Sequence, residues 1–557
     1  MPTRAEIIDD LTAGGPFELV VDTATGYPVR VYRHAPPSLR EVLKATAEHG
    51  ERPFLVYDDE AVTYAQHFGE AAALAHHLVA AGVRKGDRVA LGMRNYPEWS
   101  ISFWACQSIG AIVVALNAWW TASELAFALR DSTPSALLID GERLERLRPL
   151  LPELDLKTVV VARRGGAGEG GLDFDAVVRE PAERLPDVEV APGDLATILY
   201  TSGTTGNPKG AMATNANHVT NLMNTLLGGA VAKALAGLPA GPDPAAPQPG
   251  VLQTFPFFHI GGLTGLYISA AMGAKIVLMY KWAPTEAVRL IETHGLSSVS
   301  GVPIVLRQLL ETAAGQGAEM QTLMGITSGG APVPPDLIRR IGEQFASKAA
   351  PGNGYGLTET TSAVITNGGA DYLAQPDSVG RPVATAQVRV VDEQGRDRPQ
   401  GQVGEIWVRG PNVIPGYWKN PEATQAAFAD GWFRTGDLGF SDADGLHYVV
   451  DRMKDVIIRG GENVYCAEVE AAILEHPLVR DAAVVGLPDA DYGEAVAAVV
   501  RVDSDHLGDD VAGQIALSLQ GRLARFKIPT AFSLTDSELP RTATGKILKR
   551  ELRARYF

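Results

Sequence analysis

Three hydroxyl residues, three glycines and one lysine crowd the nine positions after Thr201, in the order Ser202-Gly-Thr-Thr-Gly-Asn-Pro-Lys-Gly210. Glycine lets a backbone turn through positive φ and approach a ligand closely, so successive N–H groups can converge on an anion. The hydroxyls add neutral donors and Lys209 adds a flexible point charge. Such a stretch can cradle a polyphosphate. It is not the common P-loop, in which four residues separate the glycines and Lys-Ser/Thr follows. Here two residues separate Gly203 from Gly206, and Gly210 follows Lys209. A glycine-rich surface turn has the same composition, so the rest of the chain must distinguish the two.

Further stretches carry groups that could act on such a ligand. In Gly352-Asn-Gly-Tyr-Gly-Leu-Thr-Glu-Thr360, Tyr355 offers a flat face for a purine, Thr358 a hydroxyl for a phosphate, and Glu359 a hard oxygen ligand for Mg²⁺. A glycine loop with a helix cap would read alike. Asp437 lies in Trp432-Phe-Arg-Thr-Gly-Asp-Leu-Gly439, where a carboxylate can accept two vicinal hydroxyls. Asp442-Ala-Asp-Gly445 lacks the spacing of a calcium loop and suits a hairpin turn. Asp451-Arg-Met-Lys-Asp-Val-Ile457, Arg459-Gly-Gly-Glu-Asn-Val464 and Pro540-Arg-Thr-Ala-Thr-Gly-Lys-Ile-Leu-Lys549 complete the set. Taken singly, each could be a solvated turn.

Taken in order, these motifs resemble those of the adenylate-forming superfamily, which holds acyl-CoA synthetases, aryl-CoA ligases, firefly luciferase and peptide-synthetase adenylation domains. The resemblance runs from about residue 40 to the end and is nearest to fatty acyl-CoA ligases. It implies that Thr201, Ser202, Gly203, Thr204, Thr205, Gly206 and Lys209 hold the ATP phosphates. Gly330, Ala331 and Pro332, from Thr327-Ser-Gly-Gly-Ala-Pro332, would line the adenine together with Asn353, Gly354, Tyr355, Gly356 and Leu357. Thr358 would contact the α-phosphate, Glu359 would hold Mg²⁺, and Asp437 and Arg452 would bind ribose. Lys546 would bridge the acid and the α-phosphate. Lys546, Lys209, Thr358 and Glu359 are thus the implied catalytic groups. Lys454 would be a hinge, and Gly460, Gly461 and Glu462 would line the passage for the coenzyme A thiol arm.

The implied chemistry has two steps. A carboxylate attacks the α-phosphorus of MgATP, giving an acyl-adenylate and pyrophosphate, and CoA then displaces AMP after the small domain turns about Lys454. Two anions must meet in the first step, so a mobile cation lowers an electrostatic barrier. No Gly-x-Ser-x-Gly nucleophile elbow is present. Departures from the family pattern are small: Asn207 in the loop, Asp451 where glycine is frequent, and Cys466 where proline is frequent.

The elements that must position these groups are strands alternating with helices. Leu195–Thr201, Pro53–Tyr57, Asp87–Gly92 and Gly110–Ala115 read as strands, and Thr63–Ala81 and Trp99–Ser108 as helices, which indicates a largely parallel sheet with helices on its faces. Asp22–Tyr32 could add an edge hairpin. Gly228–Gly250, rich in Gly, Ala and Pro, reads as a loop insertion, with a substrate lid as the alternative. The texture changes near residue 450, giving the expected division: a large α/β domain over 1–450, a hinge over 451–455, and a small mobile α+β domain over 456–557. A chain of 557 residues exceeds one ordinary core.

A net charge of −16 disfavours nucleic acid as partner; the resemblance implies a small carboxylic acid, ATP and CoA instead. Two cysteines, Cys106 and Cys466, give no disulfide framework or zinc spacing. Ile260–Tyr280 carries four glycines and Lys275 and reads as a buried helix and strand rather than an integral membrane segment. A charged N-terminus without an apolar signal core and a C-terminal Arg-Tyr-Phe point to a cytoplasmic protein. The sequence leaves a homodimer open.

The choice of acid is expected near Pro256-Phe-Phe-His-Ile-Gly-Gly262, with His259, Gly262, Val302, Gly329 and Gly330 as acyl-site residues. Phe257, Phe258, Ile260, Pro303 and Leu306 make an apolar surround without a charged residue. That predicts a medium- or long-chain fatty acid. An aryl or alicyclic acid is the alternative, and an adenylation-only enzyme that loads a carrier protein is a third reading.

Overall fold

The computed structural model describes all residues except 1, 24–25, 166–169, 202–207, 240, 242–245, 346–348, 508–509 and 543–544. Two large, mostly parallel sheets dominate. The first has eight strands, and its parallel heart is Ile112–Ala115, Arg88–Gly92, Ala136–Asp140 and Thr158–Ala162, with Leu195–Thr201 parallel on one side. The second has nine strands, with Pro53–Tyr57, Lys275–Leu278, Gly250–Gln253, Ser298–Gly301, Gly325–Gly329 and Ala350–Leu357 as its parallel run. Strands covered on both faces read as unbroken apolar runs rather than as alternation. Ala136–Asp140 (Ala-Leu-Leu-Ile-Asp) is buried at every position for that reason.

The helix Pro97–Ser108 joins the two sheets. All twelve of its residues are buried, and it packs against strands of both. Trp99, Ile101, Phe103, Trp104, Ala105 and Cys106 distribute apolar side chains around its circumference, as a helix without a solvent face requires. Helix Tyr64–Ala80 starts where the sequence predicts, because Thr63 and Gln66 form a reciprocal capping box.

A third, five-stranded sheet is antiparallel and includes Gly404–Arg409, Trp432–Ser441 and His447–Arg452. The last sheet, with strands between Ile457 and Thr535, has a separate core drawn only from residues after Ile457. Its parallel strand Ala531–Thr535 and the helix Lys549–Tyr556 have no counterpart in the sequence reading.

Two expectations need correction. Residues 228–235 are helical, because helix Asn215–Leu235 continues through Gly228 and Gly229. Buried Val231 anchors that extension, and Ala, Lys and Leu are good helix formers. Gly352–Gly356 is not a loop but part of strand Ala350–Leu357. Ile260–Met272 is a helix and Lys275–Leu278 a strand, as read from the sequence, and among the described residues no helix is long and apolar enough to cross a membrane.

Candidate active site

Leu195–Thr201 and Lys209–Thr214 form an antiparallel pair in which Thr201 and Lys209 are partners. The glycine-rich stretch therefore lies in the sequence between two paired strands. Ser202, Gly203, Thr204, Thr205 and Gly206 lie outside the described residues. Lys209 Nζ sits 5.3 Å from the centre of the Tyr417 ring. The Tyr417 hydroxyl donates to Glu359 Oε1 at 2.8 Å. Burial and the Glu359 carboxylate push that phenol well above its usual range. One tyrosine thus links the base of the phosphate loop to the acid expected to hold Mg²⁺. Sequence reasoning missed Tyr417, which stands in the two-residue strand Gly416–Tyr417, without any spacing signal.

The Gly352, Gly354 and Gly356 alternation is one face of a strand, since side chains alternate with period two. A Cβ on Gly356 would stand 1.9 Å from the Ser362 carbonyl oxygen, so the antiparallel partner Ser362–Gly368 excludes any side chain there. Asn353 and Tyr355 occupy the opposite face. Thr358–Thr360 is a single 3₁₀ turn, followed by Thr361 and Ser362 at φ 47° and 81°. Two consecutive non-glycine residues in the left-handed region hold strain, which persists only where surroundings over-determine it. Here Asn412 Nδ2 donates to the Thr360 carbonyl at 2.9 Å and the Ile414 N–H to the Glu359 carbonyl at 2.9 Å. Thr358 and Glu359 are thereby fixed, both partly exposed. Among the described residues no group of three or more His, Cys, Asp or Glu could hold a metal. One carboxylate beside a phosphate cradle suits Mg²⁺, which takes few protein ligands and fills its shell with phosphate oxygens and water.

Tyr355 donates its hydroxyl to Asp437 Oδ2 at 2.8 Å, and Arg452 Nε lies 3.1 Å from Asp437 Oδ1. Burial pushes the Asp437 carboxyl up, opposed by Arg452, the Tyr355 hydroxyl, Lys546 and Lys454. Lys546 itself is pulled down to about 8, chiefly by burial and then by Arg452 and Lys454. Burial also lowers Lys454. Three cations from the third sheet, the 3₁₀ turn Met453–Asp455 and the C-terminal loop thus gather around one buried carboxylate. Asp455 adds a second carboxylate near Lys454 and Lys546, and the excess positive charge favours a polyanion.

Gly329 and Gly354 are parallel partners, and Gly330 follows at φ 77°. A Cβ on Gly330 would lie 3.7 Å from Val302 and 3.8 Å from Phe255. Ala331 and Pro332 continue the loop. Beyond Val302 opens a cavity of about 200 Å³, lined by Phe255, Phe258, Trp119, Tyr280 and Trp282 and by Arg94. Thr542 and Gly545 of the C-terminal segment also line it, Gly545 one residue before Lys546. A larger cleft of about 490 Å³, lined by Glu60, Glu70, Glu98, Arg163 and Arg164, shares no residue with this cluster.

The expectation of an uncharged pocket is overturned by Arg94, which arrives from a strand-to-helix connection some 160 positions before Phe255 and gives no local signal. Phe257, Ile260 and Leu306 are core residues rather than pocket walls: Phe257 packs 5.2 Å from Trp99. His259 caps helix Ile260–Met272, accepting from the Gly261 N–H at Nδ1, and burial pushes its imidazole down to about 4, so it is neutral. A Cβ on Gly262 would meet the Pro256 carbonyl oxygen at 2.0 Å, so close backbone packing requires that glycine. Gly460 and Gly461, at φ 60° and 85°, form the two-residue turn between Ile457–Arg459 and Glu462–Val464, with Glu462 exposed. Two positive φ values in a two-residue hairpin loop account for both glycines.

Comparison with known proteins agrees over most of the chain. The AMP-binding enzyme family matches residues 42–418, and the AMP-binding enzyme C-terminal domain matches 468–546. Feruloyl-CoA synthase of Amycolatopsis sp is 37% identical over 498 residues, 89% of this chain and 94% of its own. Indoleacetate–CoA ligase of Aromatoleum aromaticum is 34% identical, with 89% and 94% covered. The o-succinylbenzoate CoA synthetase of Bacillus subtilis, solved with its acyl-adenylate intermediate, superposes with a TM-score of 0.77 at 31% identity, covering 93% of this chain and 98% of that one. With the first match spanning more than half of its length, the chain belongs to the AMP-binding enzyme family.

Proposed function

We propose that this enzyme is a CoA ligase that activates a compact aromatic carboxylic acid through an acyl-adenylate. The observation that carries the reading is the cavity beyond Val302. Its volume of about 200 Å³ lies below the roughly 300–1,000 Å³ that hold drug-sized ligands, and five aromatic rings line it together with Arg94, Lys281 and Arg541. A ring fits such a space better than a long alkyl chain. The relatives named above act, by their names, on feruloyl, indoleacetate and o-succinylbenzoate groups, each containing an aromatic ring. The fatty-acid reading therefore yields to its alternative.

In this reading Lys209 and the loop after Thr201 hold the β- and γ-phosphates, Thr358 the α-phosphate, and Asp437 and Arg452 the ribose. Mg²⁺ at Glu359 would neutralise phosphate charge. Lys546 reaches the acid carboxylate and the α-phosphate together and offsets the charge that builds as they approach. The large domain spans 1–450, residues 451–455 form the hinge with Lys454 at its centre, and the domain 456–557 brings Lys546 for the first step and Gly460–Glu462 for the second.

The test is pyrophosphate release with and without CoA across aromatic, alicyclic and fatty acids. Aromatic acids should release pyrophosphate and give CoA-dependent thioester. Selectivity for fatty acids overturns the acid assignment, and release without thioester formation points to a carrier-loading enzyme.

A further inference from the structure

Arg94 stands between strand Arg88–Gly92 and helix Pro97–Ser108, and its guanidinium lies between two aromatic faces. The Trp119 ring centre is 3.9 Å away and that of Tyr280 4.8 Å. Its backbone N–H donates to Asp140 Oδ2 at 3.3 Å, which fixes the base of the side chain. Nε and Nη1 are both shut off from solvent and, among the described residues, find no acceptor, so the nitrogen left to meet a ligand in the cavity that Arg94 lines is Nη2. The nearby carboxylates are committed elsewhere: Asp140 Oδ2 to Arg143 at 2.9 Å, and Glu142 to Arg143 and Arg146 and to the Tyr280 hydroxyl. Buried N–H groups left unpaired are rare and costly, and each one calls for an explanation. Aromatic faces hold a guanidinium by its plane and leave its edge free to hydrogen-bond.

The same residue lines the cavity that begins at Val302, beside Gly330. Thr542 and Gly545 line it from the C-terminal side. The loop that carries Lys546 to the side of Asp437 thus also lines the cavity, which favours the acid over the thiol as its occupant.

We propose that Arg94 is a specificity-determining residue, hydrogen-bonding an oxygen acceptor on the acid's ring remote from the reacting carboxylate. The enzyme then prefers oxygen-substituted aromatic acids to their bare parents. This rests on the aromatic-acid reading above.

The experiment measures pyrophosphate release without CoA for cinnamate and its ring-hydroxy and ring-carboxy isomers, using the full chain, Arg94→Met and Arg94→Lys. The full chain should favour at least one oxygenated isomer over cinnamate by about 10–100-fold in kcat/KM, and Arg94→Met should bring that ratio to within about threefold of unity. Arg94→Lys should keep part of the preference. An unchanged ratio in Arg94→Met overturns the proposal, as does a raised KM for CoA with the acid ratio intact. Equal use of bare and oxygenated acids by the full chain overturns it while leaving the ligase reading standing; failure with every aromatic acid sinks the ligase reading itself. Should Arg94→Met not fold, the full-chain series and Arg94→Lys decide.

Discussion

Asp437 and Arg452 face each other across the antiparallel pair Trp432–Ser441 and His447–Arg452, with Arg452 Nε 3.1 Å from Asp437 Oδ1. The carboxylate side chain is 4% exposed and the arginine 40%, so the pair stands at a wall with its cation outward. Tyr355 holds the second oxygen. Asp437→Asn keeps the shape but removes the charge that balances Arg452, Lys454 and Lys546. KM for ATP should rise about 10–100-fold, the range of a hydrogen bond to a charged group, with KM for the acid little changed. Titration of each substrate against pyrophosphate release reads both, and an equal rise for the acid would contradict a ribose role.

Lys546 carries a pH signature. Burial and the neighbouring Arg452 and Lys454 pull its ammonium down to about 8. The charged form, which the first step needs, is therefore full below that value and lost as pH rises through it. The profile of kcat/KM for ATP reports the free enzyme and should fall on the alkaline side with an apparent pKa near 8. Lys546→Arg should move that limb upward. Lys546→Ala should cost about 10²–10³-fold in adenylation, as loss of one preorganised electrostatic group does, yet largely spare thioester formation from supplied acyl-adenylate.

Tyr417 acts through two neighbours. Its ring lies under Lys209 and its hydroxyl orients Glu359. Tyr417→Phe keeps the ring and removes the donor. Groups that orient a metal ligand are worth about 10–100-fold in metal affinity. The Mg²⁺ concentration for half-maximal pyrophosphate release should shift upward, toward that range, while Tyr417→Leu should additionally weaken ATP. An unchanged Mg²⁺ requirement in Tyr417→Phe would remove Glu359 from the metal.

Below the hinge, Lys549 Nζ pairs with Glu470 Oε1 at 2.8 Å, with side-chain exposures of 23% and 17%. Glu470 also accepts from the Val484 N–H, tying helix Cys466–Leu474 to the small sheet. Lys549→Met leaves Glu470 uncompensated and should cost about 3 kcal/mol, the low end for a buried pair because some solvent reaches this one. Glu470→Gln combined with Lys549→Met should recover most of that loss in a denaturant titration of the small-domain transition.

Much of the cluster around Asp437 was legible because its members sit in short, recognisable motifs. Tyr355, Glu359, Asp437, Arg452 and Lys546 each sit in a motif whose glycines or charges announce it. The proposed acid pocket was legible only in part, at Val302 and Phe258. Its wall comes from Arg94, Trp119, Phe255, Tyr280 and Gly545, which the topology of two sheets and a C-terminal loop brings together across more than four hundred positions. Apolar residues adjacent to His259 suggested a greasy tunnel, but period and composition do not say which side of a helix faces a cavity. Phe257, Ile260 and Leu306 went to the core instead.

Gly545 ties the two halves of the site together and offers a way to separate the two steps. It sits at φ 80°, and a Cβ there would stand 2.6 Å from Val302 Cγ2. Its loop is fastened to the small sheet, since Arg541 donates to the Gly545 carbonyl and to Asp481, each at 2.6 Å. In the proposed rotation about Lys454 the loop would therefore move with the small domain, while Val302 would stay with the large one. Gly545→Ala should obstruct the arrangement in which Lys546 lies beside Asp437 without touching any group that acts on CoA. Adenylation should fall about tenfold or more, since small misplacements near the reacting atoms are costly, while thioester formation from supplied acyl-adenylate should persist. Val302→Ala removes the clashing methyl, so adding it to Gly545→Ala should restore part of the lost adenylation; the positive φ at residue 545 keeps the recovery incomplete. Parallel loss of both steps, with no rescue by Val302→Ala, would mean that the glycine serves only the fold of its own loop.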